Sequence, residues 1–344
     1  MPRLRAGVLL PALAMLVVIA TLAGIGIGAV RIAPQQTVAI LLHHAGIDLG
    51  IDYTQQQDAI VWAIRAPRVV LALLVGSALA VSGAALQGMF RNPLADPGLI
   101  GVSSGAALGA VASVALGISA LGVATLPACA FVGGVVASVA VYLCSRHDGR
   151  TEVVTLVLTG IALNTMAGAM TGLLTYVASD TQLRAVVFWS LGSLGSATWR
   201  SVGAAMPFIL IGLLLIPRWS GALNLFVLGE REARHLGVDT ERVRMQLIIV
   251  TALMTGAAVA VAGVVGFVGL IVPHLIRLIA GPNHRTLLPA CALGGALLVL
   301  LSDLAARTIA APAELPLGVI TALLGGPFLL VLMLRTRRAQ GGWA

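Results

Sequence analysis

Apolar residues run along this chain in continuous stretches near twenty long, each bounded by short segments rich in arginine, proline or glycine. A helix needs about 20 apolar residues to cross the hydrocarbon core, whereas membrane strands read as alternating segments of about 10. The pattern therefore predicts an all-α, polytopic membrane protein. Ten transmembrane helices are marked at about 7–30, 61–84, 99–118, 122–144, 153–177, 201–217, 246–264, 267–281, 287–305 and 316–334. The run from Leu247 to Ala280 is too long for one crossing and barely enough for two, and GVVGFVGLIVP in its middle supplies the turn. The first run follows the basic head MPRLR and is longer than the 7 to 15 or so apolar residues of a cleavable signal, so it reads as an uncleaved span. Residues 1–344 form one transmembrane domain.

Charge sets the orientation. Of 344 residues, 59% are hydrophobic and 10% charged, and the formal charge of +8 comes entirely from arginine. Without lysine there is no P-loop, and arginines lying between apolar runs fix topology rather than bind nucleic acid. With an even number of spans both termini share a side. Fifteen arginines fall on that side, among them Arg3, Arg5, Arg335, Arg337 and Arg338, against six on the other, so both termini are expected in the cytoplasm. Cys129, Cys144 and Cys291 are isolated, His274 and His284 read as packing or loop residues, and no metal-site or catalytic spacing occurs. The reading is of a non-enzyme.

The interruptions carry the chemistry. In RNPLADPGLIGVSSGAALG, residues 91–109, the prolines end one helix and Asp96 caps the next. Gly101, Gly105 and Gly109, with Gly76, Ala80, Ala84 and Gly88, recur every four residues, a spacing that lets helix backbones approach closely in lipid. Asn164, Gly168, Thr171 and Thr175 share one helix face, which either lines a solute path or hydrogen-bonds between helices. Residues 218–244 form a charged, helical cytoplasmic segment, and FWSLGSL within 180–200 is interfacial in character. ALAVSG at 78–83 and AVAVAG at 258–263 echo each other, as a duplicated transporter half or as low-complexity sequence would. Asp96, Asp180, Asp303, Arg307 and Glu314 fall near span ends, which weakens the alternative of an ion-coupled secondary transporter.

Five of these segments, RNPLADPGLIGVSSGAALG, LGEREARHLGV, GFVGLIVPHLIRL, HRTLLPACALGGALLVLLSDLAAR and AELPLGVITALLGGPFLLVLML, resemble in order the permease subunits of ABC importers for vitamin B12, iron siderophores and haem. The resemblance implies ten helices, a homodimer in the lipid of a bacterial inner membrane, two cytoplasmic ATPase subunits that bind ATP and Mg, and a periplasmic binding protein. It assigns binding-protein docking to Arg65, Arg68 and Arg307, and ATPase coupling to Glu230, Ala233 and Gly237. It places the cytoplasmic gate at Asn92, Pro93 and Leu94, and the polar face of Asn164, Gly168, Thr171 and Thr175, read from its spacing, is the further candidate for the pathway. Val153 and Val154 stand where a vitamin B12 permease has small hydroxyl residues, so the inner gate is expected to differ. DPGLIGVSSGAALG and FWSLGSLGSATW are most like the haem branch. Haem is the cargo the resemblance implies, with a ferric siderophore or vitamin B12 as alternatives and no cofactor in this chain.

Overall fold

The computed structural model describes residues 6–28, 30–147 and 150–339, so Arg3 and Arg5 lie outside the described residues, as do residues 340–344 and the side chains of Arg335, Arg337 and Arg338. The helices are α1 (Ala6–Gly26), α2 (Pro34–His44), α3 (Gln55–Asp58), α4 (Ala66–Phe90), α5 (Val102–Ala115), α6 (Thr125–Cys144), α7 (Val153–Tyr176) and α8 (Asp180–Ser190). They continue as α9 (Trp199–Leu215), α10 (Ser220–Phe226), α11 (Glu230–His235), α12 (Thr240–Ala262), α13 (Val268–Ala280), α14 (His284–Thr308) and α15 (Leu317–Ala339). A π-helical turn, Ala59–Arg65, fuses α3 to α4, and a two-residue antiparallel ladder, β1 (Arg146–His147) with β2 (Arg150–Thr151), joins α6 to α7.

Among the described residues seven helical segments are long and apolar enough to cross a bilayer, and α5, α13 and the Leu317–Leu332 part of α15 are shorter apolar helices. These correspond one for one to the ten marked runs. The long run breaks where the sequence indicates: α12 stops at Ala262, Gly263 and Phe267 take φ +69° and +68°, and α13 begins at Val268. Phe267 is not a glycine, and left-handed backbone is costly for it. Its ring is received by the bare backbone of Gly325 on α15.

Helix α4 is the axis of the bundle, with almost every residue from Ala66 to Phe90 buried. Its contact with α14 has no side chain between the backbones at Gly76 and Gly295, where a methyl on either residue would collide with the other's carbonyl. Gly105 of α5 and Gly133 of α6 meet in the same way. Lipid supplies no hydrophobic force between helices, so this close packing is what holds them. Overpacking a well-filled core costs about 1–3 kcal/mol, and at Gly295 the obstacle is backbone rather than a movable side chain. Gly295→Leu is expected to lose most of the monodisperse protein recovered in detergent, while Gly168→Leu, on a part of α7 with nothing within 4 Å, keeps it.

Candidate docking, gate and coupling sites

At the α1–α4 end of the bundle the three arginines expected as a docking rim are together but turned inward. Arg65, Arg68 and Arg307 are only 4%, 6% and 9% exposed. Arg65 donates to the carbonyls of Ile25, Gly26 and Val30 at 2.9, 2.7 and 2.5 Å, gathering the end of α1. Arg68 Nε donates to both carboxylate oxygens of Asp303, at 2.9 and 3.1 Å, and its Nη1 donates to Glu314 at 2.9 Å. Arg307 lies with Nε 3.7 Å from Asp303 and hydrogen-bonds the Gly24 carbonyl. The three arginines form a clamp joining α1, α4, α14 and the loop before α15. The physical reason is desolvation: an arginine at a span end is stabilised by local acceptors before it meets any partner. Only Glu314, at 45% side-chain exposure, opens the clamp to its surroundings.

At the opposite end of α4, Arg91 adopts φ +52° and ends the helix, and Asn92, Pro93 and Leu94 are exposed. The Leu94 amide donates to Asn92 Oδ1 at 2.9 Å, an Asx turn. Asp96 caps the next turn, its Oδ1 accepting from the Gly98 amide at 2.8 Å. That turn, Pro97–Ile100, is tucked into the bundle: Leu99 abuts Gly160 of α7, and Asp96 and Pro97 abut Gly269 of α13. A polar connection therefore reaches inward from an exposed loop, the shape a gate requires. Asn164 belongs to this turn: its Nδ2 donates to the Gly98 carbonyl at 3.0 Å and its Oδ1 accepts from Ser104. Of the two readings of that face, Asn164 takes the interhelical one. Further along α7, Gly168 is exposed, while Thr171 and Thr175 are half-buried, with the Thr175 hydroxyl bonded to the Thr171 carbonyl at 2.7 Å.

The charged segment folds as α10 and α11 on the same end. Glu230 is its fastener: one carboxylate oxygen accepts from Arg234 at 2.6 Å, the other from Arg244 of α12 at 2.9 Å. Arg244 also donates to Glu241 and to the Thr151 carbonyl, both at 2.6 Å, so the segment is tied to α12 and to the ladder before α7. Burial opposes ionisation of Glu230, but Arg244 and then Arg234 outweigh it and hold the carboxyl below its ordinary value of 4.5. A lowered carboxyl stabilises fully above the ordinary value and loses its contribution as pH falls through the lowered one. Hydrogen-exchange protection of α11 is accordingly expected to stay constant from neutral pH down to 4.5 and to fall only below it. Ala233 is fully buried, beneath the exposed face of the segment. Gly237 is exposed at φ +86° with open space around it, beside the exposed Leu236.

Sequence reasoning missed Asp303 and Arg244 as organising residues. Asp303 carried a signal, since it stands four residues before Arg307 on one helix face.

Comparison with known proteins gives this geometry its context. The FecCD transport family matches residues 16–335. The hemin transport system permease protein HmuU of Yersinia pestis is 48% identical over 295 residues, 84% of this chain and 88% of that protein. The cobalamin import system permease protein BtuC of Halobacterium salinarum is 44% identical over 300 residues, covering 87% and 79%, and the vitamin B12 import permease BtuC of Shigella boydii is 41% identical over 292, covering 85% and 89%. Among solved structures, a metal-chelate type ABC transporter in an inward-facing conformation superposes with a TM-score of 0.83 at 33% identity, covering 95% of this chain and 98% of that one. A long match to the family, the ten apolar helices and the folded charged segment agree, and the chain belongs to the FecCD transport family as a permease subunit of an ABC importer, not an enzyme.

Proposed function

We propose that this permease carries haem from a periplasmic binding protein across the bacterial inner membrane into the cytoplasm. The observation that carries the reading is the 48% identity to a hemin permease over 84% of the chain. In this reading both termini are cytoplasmic, two copies enclose the path, and two ATPase subunits that bind ATP and Mg dock on α10 and α11. The acidic binding protein meets the Arg68 end, where its carboxylate competes with Glu314. The exposed Asn92–Pro93–Leu94 turn faces the cytoplasm as the gate, and Gly168, Thr171 and Thr175 offer the cargo small and polar contacts without fixed charge.

In this reading haem passes by shape rather than by ligation, and His274 is a packing residue, edge-on against Phe328 with ring centroids 5.6 Å apart. A largely apolar path suits a flat macrocycle, since tight coordination would trap a solute that has to leave. In liposomes carrying the permease, its ATPase and its binding protein, ATP-dependent haem uptake is expected and survives His274→Ala. The cobalamin permeases at 44% and 41% identity favour vitamin B12 as the second reading. Uptake of vitamin B12 or a ferric siderophore without haem in that assay overturns the first.

A further inference from the structure

We propose that Asn224 and His284 form the joint through which movement of the cytoplasmic segment reaches the gate. Asn224 is a positioning residue that acts through His284; the inference rests on the importer reading above. Helix α10 packs against both α11 and the start of α14, and Asn224 is its hydrogen-bonded link to α14. Asn224 Oδ1 faces the His284 backbone nitrogen and the His284 ring Nδ1, each at 2.9 Å. A backbone N–H can only donate, so the atom facing it is the amide oxygen, and the ring nitrogen that shares this oxygen is the protonated one. The amide's other end, Nδ2, donates to Asn283 Oδ1 at 2.9 Å. Asn283 itself caps α14, accepting from the Arg285 amide at 3.0 Å. The first turn of α14 is therefore held by two caps: its own, Asn283, and a second supplied by the neighbouring element.

The tautomer leaves His284 Nε2 as a bare acceptor. His284 is 3% exposed, and Nε2 has no hydrogen-bond partner. It is seated against Gly88 of α4, where an added methyl would come 2.5 Å from Nε2 and 3.2 Å from Leu223 of α10. An orphaned buried acceptor is unfavourable, and leucine would fill similar space without that cost, so packing alone does not account for histidine here. Three residues beyond Gly88, Arg91 turns the chain into the exposed Asn92–Pro93–Leu94 loop. Gln87, beside Gly88, donates to the Gly269 carbonyl at 2.9 Å and accepts from Arg277, so the last turn of α4 is also fixed to α13. A rotation of α10 thus carries Asn224, Asn224 carries the start of α14, and His284 bears on the turn of α4 from which the gate loop springs. The contact is tight at every step, as a two-position element requires.

The test uses the complete complex with its ATPase, in a chain where Cys129 and Cys144 are serine and Leu94→Cys reports the gate, leaving only the buried Cys291. The probe is the rate of maleimide labelling at position 94 with and without ATP and vanadate. ATP is expected to shift that rate in the parent. In Asn224→Ala the shift falls about tenfold, within the roughly 5–150-fold range of coupling between sites, while the ATPase still co-purifies in full. Asn283→Ala removes the intrinsic cap of α14 and the Nδ2 partner of Asn224 but leaves both Asn224–His284 contacts, and it keeps the shift within about twofold. An undiminished shift in Asn224→Ala, an equal loss in Asn283→Ala, or no shift in the parent overturns the proposal. Failure of the function reading shows separately, as a complex whose gate responds to ATP but which imports no haem.

Discussion

Asp303→Ala is expected to remove most of the folded permease. The carboxylate is 1% exposed and is the shared partner of Arg68 and Arg307, whose side chains are each 7% exposed. Deleting it leaves two guanidiniums side by side in a poorly hydrated place. Breaking a buried pair from one side costs about 3–5 kcal/mol, a large part of the roughly 5–15 kcal/mol that holds a typical domain together. Glu314→Gln is the informative contrast, because that carboxylate is 45% exposed and surface pairs contribute only about 0–1 kcal/mol. Glu314→Gln is expected to keep the parent's melting temperature and detergent yield while freeing Arg68 Nη1, so binding-protein docking strengthens at low salt. Asp303→Ala is expected to lower both quantities sharply. A parent-like melting temperature for Asp303→Ala would show that the arginines find other acceptors.

The second large effect concerns Gly237, where alanine and tryptophan should differ. Its backbone sits at φ +86°, and an L-residue there costs about 1–2 kcal/mol for strain alone. Nothing lies within 4 Å of where a side chain would begin, so within this chain tryptophan meets no obstacle. An obstacle would come from a partner. Gly237→Ala is expected to retain haem import within a few-fold, whereas Gly237→Trp loses ATPase association and import by more than tenfold, since bulk is placed where the ATPase is proposed to sit. The measurement is the ATPase recovered with the tagged permease, alongside import in liposomes. Import by Gly237→Trp at the parent's rate would mean that α11 is a solvated turn and no more.

The sequence made the helices legible and left the directions of the side chains hidden. GVVGFVGLIVP marks the α12–α13 break because glycine at 263 permits a left-handed residue, and the glycines at 76 and 105 mark close crossings because lipid-packed helices need bare backbone. Arginine counts tell which end of a helix a charge belongs to but not whether its guanidinium faces in or out. That is decided by acceptors far away in sequence: Arg68 and Asp303 are 235 residues apart, and Arg65 reaches back 35 to 40 residues to bare carbonyls. Ala233 was hidden for a related reason, since a six-residue helix has too few turns for its pattern to say which face is covered. Asn164 was half legible, because its place on one face of α7 could be counted while its partner, the Gly98 carbonyl, depended on the turn after Asp96 folding inward.

The clamp around α1 also bears on how the chain is made. The last carbonyls of a helix have no acceptor role within it, and here those of Gly24, Ile25 and Gly26 are covered by guanidiniums from elsewhere. Arg65 is synthesised soon after the first span and can cover its share as α1 and α4 enter the bilayer together. Arg307 lies 283 residues beyond Gly24, so that carbonyl waits until α14 has been inserted. Helix α1, made well before α14, is thus finished only after it, and its Gly26 end records whether that distant helix has arrived.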